Sequence, residues 1–115
     1  MATTRPTTTE PPGGFLDLSR SQPVAEVVWR HRAQVSGHVR SVRVRPWSGS
    51  ATLELVLADA TGGITVAFLG RRRLPGVRPG SSLTVEGMVG ARDGKLLIMN
   101  PAYDLTELAG VPVRS

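Results

Sequence analysis

Two short stretches of this chain carry side chains suited to contact with a charged polymer that also bears flat rings. In the first, two arginines and a tryptophan alternate at Arg43, Arg45 and Trp47, and in the second, Arg92 and Lys95 bracket an Asp-Gly pair. Guanidinium groups can fork onto phosphates, and an exposed indole can stack on a base. These residue types predict one nucleic-acid-binding site made of Arg43, Arg45, Trp47, Arg92 and Lys95, and Arg40 on the first strand is a further candidate. In the alternative interpretation, the arginines are solvated surface charges and Trp47 covers the end of a core.

The densest positive run is Arg71-Arg72-Arg73, with Arg78 a few residues later. Adjacent cations repel one another, so an anionic partner or scattered carboxylates must relieve them. We therefore include Arg71, Arg72 and Arg73 among the candidate nucleic-acid-binding residues. The same run could instead hold an acidic protein, or it could be a solvated loop.

The chain has few side chains that are suited to catalysis. The chain has no cysteine, which removes thiol nucleophiles, disulfides and Cys-based zinc sites. His31 and His38 have no nearby carboxylate at metal-ligand spacing. Asp59 and Asp93 are explained as turn residues, and Glu54 has no obvious carboxylate partner. We predict that the protein is not an enzyme and that it has no catalytic residue, no metal site and no cofactor. A metal-dependent nuclease, the enzyme class considered, would need clustered carboxylates.

Charge and length narrow the class of protein. The chain has 115 residues, a formal net charge of +5 and 14 basic residues, of which all but Lys95 are arginine. One domain is expected at this length, and a small basic domain favours nucleic acid first and an acidic membrane second. No apolar run approaches the roughly 20 residues that span a bilayer, and the N-terminus lacks the apolar region of a secretory signal. We expect a cytoplasmic protein without a membrane partner.

Five strand-like segments, with no convincing long helix, must position these side chains. The alternation of the first segment, about 32–44, changes phase between Val39 and Val42. Such a slip indicates a β-bulge, and Gly37 leaves room for a bend. The other segments are about 51–58, 64–69, 82–91 and 95–99, with a basic connection at 70–80 that proline and glycine break. A closed barrel is the most economical arrangement, because closure removes unpaired strand edges.

The ends of the chain are expected to lie outside the barrel. Residues 1–22 are rich in Thr, Pro and Gly and poor in apolar side chains, which predicts a disordered tail. The barrel then occupies 23–105, and 106–115 form a weakly structured C-terminal tail. Just before the first strand, one or two helical turns could plug the barrel with Val27, Val28 or Trp29. For Trp29 and Tyr103, packing is expected in preference to ligand contact.

The turns between the strands resemble, in their order and spacing, those of the OB-fold family. The resemblance is carried by Asp59-Ala60-Thr61-Gly62-Gly63, Pro79-Gly80, Val85-Glu86-Gly87 and Met99-Asn100-Pro101-Ala102-Tyr103. Over roughly 23–105 the chain is similar to small nucleic-acid-binding OB domains of actinobacteria and, more distantly, to the wedge domain of the branch-migration helicase RecG. The resemblance implies an all-β, five-stranded OB-fold barrel. It also implies a ligand groove flanked by the loop between strands one and two and the loop between strands four and five.

The predicted ligand face departs from the family's pattern. Members that grip single strands usually stack bases on aromatic residues of strands two and three, but the outward positions here are Thr52, Glu54, Val56, Thr65 and Ala67. Base stacking is worth roughly 1–3 kcal/mol per base, so weak binding or a different surface is expected.

The sequence supports two hypotheses about function. The leading hypothesis is a non-catalytic protein that binds single-stranded or structured DNA or RNA, mainly through phosphates. The alternative is an OB-fold adaptor for protein–protein interaction, in which exposed Val56 and Ala67, together with the 71–73 run, meet an acidic partner.

Overall fold

A computed structural model of the protein describes residues 16–47 and 49–105. The strands in this part are β1 (Arg32–Trp47), β2 (Ser50–Asp59), β3 (Gly62–Leu69), β4 (Ser82–Arg92), β5 (Lys95–Met99) and β6 (Ala102–Leu105). Two short 3-10 turns, Leu18–Arg20 and Val24–Glu26, precede them. The five predicted strands are present, and β1 continues beyond its expected end to Trp47.

The first five strands form a closed ring. β1 pairs antiparallel with β4 through its first half and with β2 through its second half. β2 pairs antiparallel with β3, and β4 pairs antiparallel with β5. A parallel pairing between β3 and β5 closes the ring. This order, β1-β2-β3-β5-β4 and back to β1, confirms the all-β, five-stranded OB-fold barrel predicted from the sequence.

β6 is a short strand that the sequence pattern did not predict. It pairs with the edge of β4 along which β5 also runs. β5 and β6 run in the same direction, and the register with β4 shifts by one residue between them. The shift lies at Asn100, whose backbone has a φ of 50°. Its amide donates to the Ala67 carbonyl at 2.7 Å, and its Oδ1 accepts from the Leu69 amide at 2.8 Å. Asn100 and Pro101, which has no amide hydrogen to donate, therefore separate β5 from β6.

β1 can serve both halves of the barrel because it bends. Its register with β2 shifts between Val39 and Ser41, which confirms the bulge predicted from the phase change. Arg40 is the extra residue of this bulge. At Gly37, a Cβ would collide with the carbonyl oxygen of Ala58, so only glycine allows the two backbones to approach this closely.

The interior of the barrel is filled by aliphatic side chains from all five strands of the ring. The largest fully buried ones are Leu53, Leu55, Leu57, Leu83 and Ile98. Two residues outside the ring, Leu74 in the β3–β4 connection and Val27 before β1, belong to the same buried cluster. Tyr103 packs edge-on against Phe68 with ring centroids 5.5 Å apart, which confirms its expected packing role.

Residues 16–22, which were assigned from the sequence to the N-terminal tail, include the 3-10 turn Leu18–Arg20. The segment lies against the outside of the barrel and is held by polar contacts. The Gln34 side-chain amide donates to the Asp17 carbonyl at 2.6 Å, and the Leu16 amide donates to the Asp104 carboxylate at 3.2 Å. Hydrogen bonds, not apolar burial, attach this stretch, so its composition carries no sign of the attachment. The rest of the two predicted tails, 1–15 and 106–115, lies outside the described residues.

A chain of hydroxyl groups continues the attachment of this segment. Ser21 Oγ lies 2.6 Å from Ser36 Oγ, and Ser36 Oγ lies 2.7 Å from Thr84 Oγ1. Thr84 is fully buried, so the segment both covers and satisfies polar groups of β1 and β4.

The expected plug before β1 is formed by a single side chain. Val27 is buried, but Val28 and Trp29 are each about half exposed. The Val28 carbonyl accepts from the His31 amide at 3.2 Å, so these residues lie in a turn on the surface. The prediction that Trp29 packs into the barrel is therefore wrong.

Candidate functional site

The candidate site lies on the outside of the barrel where β1, β2, β3 and β5 run side by side; we call this surface the outer face. Cross-strand pairing places Arg43 beside Glu54, Glu54 beside Ala67, and Ala67 beside Met99. Paired residues share a face of a sheet. A single row therefore runs from a cation through a carboxylate to apolar side chains.

Several outward positions on this face are nevertheless buried. Thr52 and Ala67 have no exposed surface, and Glu54 is 5% exposed. The alternation predicted their direction correctly, but it could not show what lies over them. Because Ala67 is buried, it cannot contribute to the exposed apolar contact surface that was predicted for Val56 and Ala67.

The Glu54 carboxylate connects the two basic hairpins. Arg92 Nη2, at the end of β4, lies 2.9 Å from Glu54 Oε2. Arg45 Nη1, near the end of β1, lies 3.9 Å from Glu54 Oε1. Both loops expected to flank a ligand groove are thus tied to one carboxylate. Part of the positive charge assigned to binding from the sequence is already neutralised within the protein.

Near this ion pair, the buried hydroxyl group of Thr52 is an unfavourable feature of the fold. Thr52 pairs across strands with Arg45, and its Oγ1 is buried without a hydrogen-bond partner among residues 16–47 and 49–105. An unmade hydrogen bond on a buried group costs about 1–3 kcal/mol. The outer face is therefore not optimised for stability at this position.

The Arg71–Arg73 run begins beside the β1–β2 hairpin. Gly70, directly after β3, donates its amide to the Ala51 carbonyl at 2.7 Å, and Ala51 pairs with Pro46 in β1. The three arginines are exposed, and none forms an ion pair with another described residue. The structure thus joins two groups of arginines, this run and Arg45 with its neighbours, which the sequence left separate.

The remaining predicted residues lie elsewhere on the surface. Arg40 reaches the outer face near the β2–β3 turn, where its Nη1 lies 3.7 Å from the position that a Cβ on Gly63 would take. Lys95 is exposed at the start of β5 and pairs with Arg92. Trp47 ends β1, but its side chain lies outside the described part of the structure. The structure brings Arg43 and Arg45 to one end of the outer face, and the 71–73 run begins beside the same hairpin.

The β4–β5 side of the outer face is apolar, which sequence reasoning missed. A cleft of about 340 Å³ is lined by Met88, Gly90, Ala91, Arg92, Leu97 and Met99. Met88 is 51% exposed, although a large apolar side chain is usually buried. The alternation of Met88, Gly90 and Arg92 along β4 is the signal that could have revealed this cleft. Because Arg92 also binds Glu54, the cleft adjoins the basic part of the face.

A second bulge lies just after Trp29, opposite Val89 of β4. The Arg30 amide donates to the Val89 carbonyl at 2.9 Å, and the Val89 amide donates to the His31 carbonyl at 3.0 Å. Arg30 has a φ of 73° at a bulge position usually occupied by glycine, a conformation that costs a non-glycine residue about 1–3 kcal/mol. Its guanidinium lies 4.4 Å from the centroid of the Trp29 ring. This cation–π contact offsets only part of the strain, about 0.5–1 kcal/mol.

Asp59 has the turn role predicted for it. Its Oδ1 accepts from the Thr61 hydroxyl at 2.6 Å and from the Thr61 amide at 2.8 Å. Its Oδ2 accepts from the Val24 amide at 3.0 Å. The hydrogen bond from the Thr61 hydroxyl is the main reason that the pKa of Asp59 lies below its ordinary value of 3.8. The carboxylate is thus used to join the β2–β3 turn to the segment before β1.

Two further observations concern metal binding and membrane-spanning helices. In the described ranges, no three histidine or acidic side chains are grouped so that they could hold a metal ion. No helix found there is long and apolar enough to cross a membrane.

Comparison with solved structures supports the assignment of the fold. The structure is similar to the solution NMR structure of the OB domain of Ta0387 from Thermoplasma acidophilum, with a TM-score of 0.63 and 12% sequence identity. The match covers 82% of this chain and 92% of that chain. No protein-family profile matches the sequence, and no curated protein sequence matches it. At this identity, the likeness establishes an OB-fold and nothing finer.

Proposed function

We propose that this OB-fold protein binds single-stranded or structured nucleic acid, mainly through phosphates, and that it is not an enzyme. The proposal is supported above all by the exposed Arg43 and Arg45 at one end of the outer face, with the exposed 71–73 run beginning beside the same hairpin. Separate chain segments supply these cations, so they form a surface that can follow an extended polyanion. We further propose that the protein acts in the cytoplasm.

Arg43 and the 71–73 run are the leading phosphate contacts in this proposal. Arg43 is exposed and forms no ion pair within residues 16–47 and 49–105. Arg45 lies 3.9 Å from Glu54 and is half exposed, so it can turn towards a phosphate at little cost. Arg92, at 2.9 Å from the same carboxylate, is held more closely.

The chemistry of the face favours backbone contacts over base reading on β2 and β3. No aromatic side chain stands among the outward positions of these two strands. Phosphate contacts carry no direct sequence information. We therefore expect binding to depend strongly on salt and only slightly on sequence.

Fluorescence anisotropy of labelled single-stranded DNA, single-stranded RNA and a forked duplex, titrated at two or more salt concentrations, tests the proposal. We expect affinity to fall steeply with salt. In the R43A/R45A double variant, the slope of log K against log salt should flatten by about 1.4, because each phosphate contact to a single strand contributes about 0.7.

A matched variant makes this result specific. Arg20 is exposed on the ordered N-terminal segment, away from the outer face, so R20A removes a charge without touching the proposed site. It should leave the slope nearly unchanged. Equal effects of R20A and R43A/R45A would mean that net charge alone drives binding, and no binding at low salt would overturn the proposal.

An adaptor that binds an acidic protein is the second candidate. The apolar cleft beside the arginines favours it, because protein interfaces combine apolar and charged contacts. A partner captured by the protein after nuclease treatment, together with no affinity for any of the three nucleic acids, would support the adaptor.

A further inference from the structure

We propose that Trp29 and Arg30, together with the adjoining cleft on β4 and β5, form a base-binding subsite for a single strand of nucleic acid. The inference rests on the proposed function and adds to it. It supplies, from the start of β1, the stacking surface that β2 and β3 lack.

Exposure of an aromatic ring is the first observation. Trp29 is half exposed, and Arg30 lies over it at 4.4 Å. Indole rings and guanidinium planes are both surfaces on which nucleobases stack. A ring that only filled the barrel end would be buried, as Phe68 is.

Backbone strain is the second, independent observation. Arg30 adopts a φ of 73° in a bulge where glycine would be free of strain. Strained non-glycine residues occur preferentially at binding sites, where the surrounding structure holds them. Here two hydrogen bonds to Val89 hold the strained turn in place. The bulge thus fixes the backbone that carries Trp29 and Arg30.

The position of the turn connects it to the cleft. Val89, which exchanges both hydrogen bonds with the turn, lies between the cleft residues Met88 and Gly90. Arg32, two residues after Arg30, pairs with Met88. The Trp29–Arg30 turn is therefore attached directly to the strand that forms one wall of the cleft.

Arg92 connects the cleft to the end of the outer face that carries Arg43 and Arg45. It lines the cleft and also binds Glu54, which pairs across strands with Arg43. A strand whose phosphates lie on Arg43 and the 71–73 run can thus place bases over Met88 and Met99 and reach Trp29. Methionine adapts to irregular flat surfaces, so the cleft suits bases of any sequence.

This arrangement selects single strands. Bases in a duplex are stacked and paired, and exposing them costs energy, so a duplex can use only the arginine surface. We expect tighter binding of a single strand than of a duplex of equal phosphate number. Loss of the subsite should remove that preference.

The test uses the full chain and a thymidine oligonucleotide of about 30 residues, beside a blunt duplex of about 15 base pairs, which carries about the same number of phosphates. The chain has two tryptophans, so quenching is assigned to Trp29 by comparing the parent protein with W29A. We expect a saturating single strand to quench the emission of the parent protein more than that of W29A. W29A should weaken single-strand binding about tenfold, in the range typical of loss of one stacked base, at every salt concentration. Its salt slope should stay unchanged, because a stacking contact releases no counterions.

W29F and R30G are the matched variants. W29F retains a smaller ring and should recover part of the affinity. R30G places glycine at a positive φ, so it should fold at least as stably as the parent, and it should weaken binding severalfold. Thermal unfolding of each variant shows that a loss of affinity does not come from a loss of fold.

The outcomes separate this inference from the proposed function. Salt-dependent binding that needs Arg43 and Arg45, with no quenching of Trp29 and no effect of W29A, would overturn the subsite and leave the proposed function intact. Equal weakening of single-strand and duplex binding by W29A would also overturn it. Absence of binding to either oligonucleotide at low salt would overturn both.

Discussion

Arg92 Nη2 lies 2.9 Å from Glu54 Oε2, in an ion pair that joins the end of β4 to the middle of β2. The Glu54 side chain is 7% exposed, whereas the Arg92 side chain is 30% exposed. Breaking such a nearly buried ion pair by removing one partner is destabilising. The pair therefore fixes the β4–β5 hairpin over the outer face, and it places a negative charge where an incoming phosphate would lie.

Replacing Glu54 with glutamine should strengthen binding of nucleic acid while weakening the fold. E54Q removes the negative charge that faces Arg92 and Arg45, so we expect affinity for a single-stranded oligonucleotide to rise severalfold. We expect the free energy of unfolding to fall by about 1 kcal/mol, less than for a fully buried pair because both arginines remain partly solvated. Anisotropy titrations and thermal unfolding measure the two effects.

E86Q is the control for this prediction. The Glu86 side chain is 28% exposed and lies 3.9 Å from Arg32. E86Q therefore removes an equal charge, but from a looser ion pair that lies away from Arg43 and Arg45. It should change affinity much less than E54Q. If E54Q binds no more tightly than E86Q, Glu54 does not compete with phosphate for the two arginines.

Thr52 and Thr84 form a matched pair for testing buried hydroxyl groups. Both are strand residues with no exposed surface, but Thr84 Oγ1 hydrogen-bonds to Ser36 Oγ at 2.7 Å and Thr52 Oγ1 has no described partner. We expect T52V to raise the free energy of unfolding by about 1 kcal/mol and T84V to lower it by a similar amount. Chemical denaturation of the two variants measures this. A loss of stability in T52V as large as in T84V would show that the Thr52 hydroxyl is satisfied in solution.

Asp59 should make stability depend on pH in the acid range. Its pKa lies below the ordinary value of 3.8 in the folded protein, first of all because the Thr61 hydroxyl donates to it. The unfolded chain therefore binds the proton more readily, and stability falls as pH decreases through about 4 towards the folded-state pKa. Above that range the contribution is complete. Urea unfolding measured between pH 7 and pH 3 reports the change.

The comparison for Asp59 is best made on a D17N background. Asp17 also has a lowered pKa, chiefly because the Ser19 hydroxyl donates to it, and it would add a slope of the same sign. D59N should reduce stability at neutral pH by about 1 kcal/mol, in line with loss of a hydrogen bond to a charged group. It should also flatten the acid dependence. A D17N/D59N protein with the same acid dependence as D17N would exclude Asp59 as its source.

Local pattern was enough to predict most of the barrel. Period-two alternation identified the strands, the phase change at Val39 located the bulge, and Asp59 located the β2–β3 turn. Each of these signals arises from residues close together in the chain, where the physical rules act directly on neighbours. Gly37 belongs with them, since a bend in a long strand requires a residue without a side chain.

The features that were missed depend on contacts between distant parts of the chain. The ordered segment 16–22 is attached through Gln34 and Asp104, and nothing in its own composition indicates this. Burial of Glu54 depends on Arg92 reaching across from another hairpin. Exposure of Trp29 depends on the bulge opposite Val89. Hydrophobicity alone places an indole inside and a carboxylate outside, and at both positions tertiary geometry reverses that expectation.

The extra residue in β1 limits how this sequence can vary. If Arg40 were deleted, Val42 and Val44 would continue the alternation of Val35 and Val39 without interruption, so the apolar pattern would survive. The bend would not, because a regular strand has no unpaired residue at which to change direction. Insertions and deletions can therefore accumulate in the connecting turns, whereas the length of β1 is set by the geometry of closing the ring.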